Sequence, residues 1–152
     1  METIFHSPTR TAWATRLERP FRLEAPFQGR TFSLLLAVYD TTVTSEEQKA
    51  LSEQIVRQGC RYAVCTGHEC SSWDDSIDSA HIETDPDLSP PDSKFVMTTW
   101  HEQESIGDVA EFFVHAAKFE GFEPERFLVV CVGGDEAAYF RARHAVRAQF
   151  GS

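Results

Sequence analysis

The chain has 152 residues, 24 of them acidic and 14 basic, for a formal net charge of −10. Its 41% hydrophobic content, with twelve Phe, supports one folded domain and excludes wholesale disorder. The acidic balance argues against duplex nucleic acid as a partner, and no apolar run reaches the roughly 18 residues that a membrane span needs.

Residues 1–30 read as an irregular, Arg-rich arm with Pro8, Pro20 and Pro26, packed on a single α/β domain over residues 31–152. Within the arm, Trp13 and Leu17 are four apart, so a short helix is expected over Thr9 to Arg19. Phe21 to Leu23 alternates and suits a short edge strand. Thr31 to Tyr39 is a nearly continuous apolar run, the pattern of a strand buried on both faces. Thr44 to Gln58 follows as a helix, with Thr44 and Glu47 at capping-box spacing and Leu51, Ile55 and Val56 inward. Cys60 to Thr66 is a second strand, Ser72 to Ile82 a short helix, and Glu83 to Ser93 a Pro/Asp loop. Lys94 to Trp100 is a third strand and Ser105 to Phe119 a helix. Phe127 to Val132 is a fourth strand and Asp135 to Phe150 the last helix.

Strand and helix thus alternate four times. That predicts a three-layer α/β/α sandwich around a mainly parallel four-stranded sheet. The expected order is 2-1-3-4, in the flavodoxin- or Rossmann-like manner. The four cysteines, at 60, 65, 70 and 131, sit mostly in apolar strands. The opening Met-Glu-Thr-Ile-Phe lacks the basic-then-apolar layout of a secretory signal. Reduced thiols and a cytoplasmic protein are therefore expected.

In open α/β sheets, ligands bind outside the carboxyl ends of the strands. That rule points to Asp40 to Thr42, to Gly67 to Asp75, to Thr98 to Glu102, and to Gly133 to Asp135. Polar and aromatic residues concentrate in the second and third of these. Asp74 and Asp78 share a helical face, with Asp75 beside them. Such carboxylates suit a hard cation or acid–base work, but Ser72 as N-cap and the helix dipole also account for Asp74 and Asp75. His68, Cys70 and His101 include zinc-ligand types, yet His-x-Cys is not a closed zinc pattern, and no metal is predicted. A nucleophilic Cys70 is disfavoured by the surrounding acids, which raise a thiol pKa. Trp73 and Trp100 are expected near one another, where two indoles beside carboxylates suit a cation or a flat ring. The alternative is that each Trp only covers a sheet end. Gly133-Gly134-Asp135 is a weak phosphate-loop signal, equally explained by a turn and an N-cap. His6, His81, His115 and His144 show no partner pattern and default to the surface.

The stretches Trp73-Asp74-Asp75-Ser76-Ile77-Asp78 and Thr98-Thr99-Trp100-His101 carry a resemblance. The chain resembles, over roughly residues 30–135, a small family of bacterial proteins known only as a domain of unknown function. The resemblance implies a bacterial, cytoplasmic origin and brings no activity with it.

Dinucleotide, phosphate-loop, zinc-protease and nucleophile-elbow motifs are all absent, so no cofactor is implied. Residues 62–117 hold twelve acids and one base, Lys94, and thus carry the whole charge imbalance. Two functions follow as expectations. The first is a non-enzymatic binding or immunity-like accessory protein. Its acidic edge, with Trp73, Asp74, Asp75, Asp78, Trp100, His101, His68 and Cys70, would take a basic protein partner or a small cationic ligand. The second is a small hydrolase or transferase in which His101, Asp74 and Asp40 converge for acid–base chemistry.

Overall fold

The computed structural model describes residues 1–151. Six strands and four helices run in the order β1 (Glu2–His6), β2 (Thr11–Leu17), β3 (Phe32–Val38), α1 (Ser45–Arg57), β4 (Cys60–Gly67), α2 (Cys70–Ile82), β5 (Met97–His101), α3 (Ile106–His115), β6 (Arg126–Val132) and α4 (Glu136–Phe150). They form one sheet of order β1-β2-β6-β3-β4-β5. Every neighbouring pair is parallel except β1 with β2.

The four expected strands are β3, β4, β5 and β6. Their spatial order is 3-2-1-4 in that numbering, which corrects the predicted 2-1-3-4, and the sheet has six strands where four were expected. The chain steps outward from β3 through β4 to β5, then returns across the sheet and inserts β6 on the free side of β3. The order therefore reverses between β3 and β6.

The remaining two strands come from residues 1–30. The expected helix over Thr9 to Arg19 is instead β2, which pairs with β6 from Thr11↔Arg126 to Leu17↔Val132. Ala12 and Ala14 face one side of the sheet and Trp13 and Leu17 the other. Phe21 to Leu23 is not a strand; Phe21, Leu23 and Phe27 pack as a buried loop on the core.

Helices cover both faces. On one, Leu34, Leu36, Val130 and Cys65 meet Leu51 and Ile55 of α1 and Trp73 and Ile77 of α2. On the other, Leu35, Val64 and Val129 meet Phe113 of α3 and Ala142 and Val146 of α4. The central strand β3 is buried at all seven positions, as its unbroken apolar run requires.

Local signals account for most boundaries. The α1 capping box forms as the spacing predicts: the Glu47 N–H donates to Thr44 Oγ1 at 3.1 Å, and the Thr44 N–H to Glu47 Oε1 at 2.9 Å. Asp135 caps α4, accepting from the Ala138 N–H at 2.8 Å. α3 ends at His115, four residues before the expected end.

Candidate functional site

α2 sets the geometry of the acidic edge. It starts at Cys70, two residues before the expected position, so Ser72 is not its N-cap. Gly67 makes this start possible: it has φ +92°, and a Cβ there would lie 2.2 Å from the Val38 carbonyl oxygen. Glu69 then takes the N-cap place in the left-handed region, without a side-chain capping bond. Cys70, Trp73, Ile77 and Ala80 form the buried stripe of the helix. Asp75 and Asp78 stay exposed.

Asp74 lies beside that stripe and is itself buried, at 5% exposure. Its Oδ2 has no hydrogen-bond partner among the described residues. Burial pushes its carboxyl above the usual aspartate range; the Thr98 hydroxyl opposes this, and the Asp78 and Asp75 charges add to it. Thr98 Oγ1 also donates to Asp78 Oδ1 at 3.4 Å. Asp74, Asp78 and Thr98 are thus gathered where α2 crosses β5; Thr98 lies in an expected strand-end segment but outside the expected binding set.

The two indoles part company. Trp73 is 2% exposed and belongs to the core, whereas Trp100 is 54% exposed on β5, the outermost strand. In a strand, alternate residues share a face, so Trp100 lies on the face of Thr98, and Thr99 and His101 on the opposite one. The His101 ring packs against Phe112 of α3, with centroids 4.7 Å apart. Its Nδ1 lies 3.0 Å from Glu104 Oε2 and its Nε2 3.0 Å from Thr99 Oγ1. Both ring nitrogens are therefore engaged locally, through a Glu104 that the motif reading did not include.

His101 and Asp74 thus face opposite sides of the sheet, and the structure does not bring them together. Asp40 stands elsewhere again, at the end of β3. It accepts from the Thr42 N–H and hydroxyl at 2.7 and 2.6 Å and lies 3.5 Å from Arg19. The Thr42 bonds, and secondarily Arg19, hold its carboxyl below the usual range. Asp40 and the exposed His68 line a polar cavity of about 190 Å³ with Glu69, Gln48 and Ser72.

Cys70 is fully buried, and burial raises its thiol pKa, which disfavours a reactive thiolate, while His68 is exposed. Among the described residues, no three His, Cys, Asp or Glu side chains converge as metal ligands. All four cysteines are free and buried, and desolvation pushes Cys60 and Cys131 up to about 12. His81, expected at the surface, is buried against Phe95, which lowers its pKa.

At the point of strand reversal, between β3 and β6, the two glycines approach the end of β3 closely. A Cβ on Gly133 would come 2.7 Å from Asp40 Cβ, and one on Gly134 2.9 Å from the Tyr39 ring. The Gly133 N–H donates to the Leu17 carbonyl at 2.9 Å, and the Gly134 carbonyl accepts from Arg16 at 2.9 Å. Arg19 closes the neighbouring loop through Glu47 at 2.8 Å and the Thr42 carbonyl at 2.8 Å. Close packing against Asp40 and Tyr39 thus accounts for both glycines.

The molecule is a mixed α/β protein built on a six-stranded, mostly parallel sheet with an acidic outer edge. A family model described as a domain of unknown function, DUF7684, matches residues 12–149, and the chain belongs to that family. This agrees with the resemblance carried by the Trp-Asp-Asp and Thr-Thr-Trp-His stretches. No curated protein and no solved structure gives a significant match. Among the described residues, no helix is long and apolar enough to cross a membrane.

Proposed function

We propose that this protein is a non-enzymatic binding module, of accessory or immunity type, whose α2–β5 edge docks a partner protein with a basic surface. The observation that carries this is Trp100, more than half exposed on an edge strand and followed in sequence by Glu102 and Glu104. An exposed indole is an efficient interface anchor, because it buries a large rigid area at small entropic cost. On the same α2–β5 edge and in the turn after β5, Asp75, Asp78, Glu102 and Glu104 are exposed, with Glu104 paired to His101. Such a field speeds encounter with a basic surface and repels acidic ones. The same charges protect the open β5 edge from pairing with unrelated strands.

We read the run β5-β4-β3-β6 as a Rossmann-like arrangement. A small-molecule ligand of such a sheet would sit outside β3 and β6. There Tyr39 and Asp40 pack closely on Gly133 and Gly134, and the cavity beside Asp40 is only about 190 Å³, which favours the edge as the working surface. The free, buried thiols favour a reducing compartment, the cytoplasm.

The test is titration with a labelled Lys/Arg-rich peptide, with an acidic peptide of equal length as control, at low and high salt. Saturable binding of the basic peptide alone is expected, weakening with salt. It should fall about tenfold or more in Trp100→Ala and in the Asp75→Lys/Asp78→Lys double variant. Binding that ignores salt and both variants would refute the proposal.

A further inference from the structure

A second, oppositely charged surface lies at the other end of the strands. Arg10, Arg30 and Arg126 line one open groove of about 430 Å³ with Trp13, His6 and Glu125. Three arginines and one carboxylate thus line the groove, in a chain whose overall charge is −10. The carboxylate pairs with one of them, Glu125 Oε2 lying 3.9 Å from Arg126 Nη1.

Two of the three are held in place. Arg126 Nε donates to the Thr31 carbonyl at 2.6 Å and its Nη2 to Thr31 Oγ1 at 3.4 Å. The Arg10 guanidinium sits over the Phe150 ring, 5.1 Å from its centroid. Arg30 makes no ion pair among the described residues and is exposed at the groove mouth. Burial, and secondarily the Arg30 charge, lowers the pKa of Arg126. A bound anion would add counter-charge beside Arg30 and Arg126, which share a single carboxylate in the groove. Guanidinium forks match phosphoryl oxygens two at a time. The volume exceeds that of a bare oxyanion and falls in the range of about 300–1,000 Å³ typical of small-molecule sites. Trp13 supplies a partly exposed flat wall.

We infer that this groove binds a phosphorylated small molecule carrying a flat ring, with Arg30 and Arg126 on the phosphoryl groups and Trp13 against the ring. This site is separate from the α2–β5 edge and stands or falls without it.

The experiment is isothermal titration of the whole chain with ADP, pyrophosphate and adenosine as probes. One-to-one binding of ADP is expected, with pyrophosphate weaker and adenosine undetectable. Arg30→Glu, at an exposed position without an ion pair to break, should weaken ADP at least about tenfold, since a charge-assisted contact becomes a repulsion. Arg22→Glu, the same charge change at an exposed residue outside the groove, should leave it unchanged. Failure of both ADP and pyrophosphate to bind at millimolar concentration would overturn the inference. So would equal weakening by the two variants, which would mean that only the net charge is sensed.

Discussion

Asp74→Asn should stabilise the protein at neutral pH. The carboxylate is 5% exposed, and its Oδ2 has no partner among the described residues. A buried polar atom left unpaired costs about 1–3 kcal/mol, and a charge costs more than a neutral group. Asparagine keeps the shape and an oxygen for Thr98 while removing the charge and its repulsion from Asp78 and Asp75. A gain of about 1–2 kcal/mol at pH 7 follows, or about 2–8 °C in Tm for a domain of this size. The sign of the pH dependence is fixed by the direction of the shift. The folded-state pKa lies above the ordinary 3.8, so the folded state holds this proton more tightly than the unfolded chain does. Wild-type stability from this group is highest at low pH, falls as pH rises from 3.8 through the raised value, and is then level. The gap between variant and wild type should therefore be near zero at acid pH, open across that window, and stay constant above it. Urea unfolding followed by far-UV circular dichroism across the pH range measures this gap directly. A less stable variant at pH 7, or a gap that does not change with pH, would refute the reasoning. Asp78→Asn, at an exposed carboxylate with one 3.4 Å bond, should stay within about 0.5 kcal/mol of wild type.

Trp73→Ala should cost about 3–5 kcal/mol in the same assay, because its ring is buried in the core, whereas Trp100→Ala should cost under about 1 kcal/mol. Equal losses would show that Trp100 packs as core and is not a free anchor. Gly133→Ala should destabilise by about 1–2 kcal/mol or more, since φ is +71° and the new methyl would stand 2.7 Å from Asp40 Cβ; an unchanged unfolding midpoint would contradict that packing. No thiol should react rapidly with a disulfide reagent in the native state, and four should react after unfolding, because every cysteine is buried. A fast native thiol would place one of them at the surface.

The elements that local chemistry dictates were legible in the residues. The apolar runs of β3, β4 and β6 and the Thr44–Glu47 capping box act within a few positions, and each forms as read. β2 was not legible because a spacing of four is a same-face spacing in both periods. Trp13 and Leu17 share a face in a helix and equally in a strand. Ala12 and Ala14, small enough to be buried against the opposite layer, gave no strand signal of their own. Strand order depends on pairings such as Thr11↔Arg126, which no local pattern encodes. In the acidic segment the core stripe Cys70, Trp73, Ile77, Ala80 was present at helical spacing and marks Trp73 as core. The facing of His101 was less accessible, since it follows from the alternation of β5 and from which helix covers each side. The groove arginines lie far apart in sequence, and only the β2–β6 pairing brings Arg10 and Arg126 together.

That pairing also orders events during synthesis. β2 emerges early, yet its parallel neighbour β6 is completed only when most of the chain has been made. Until then, the β1–β2 hairpin has no sheet to join, and a lone two-stranded hairpin is marginal in water. β3, α1 and β4 can assemble first, with the earliest strands docking last. A chain shortened before β6 would lose more than one strand: both N-terminal strands would be stranded with it, and the free side of β3 would lie open to aggregation.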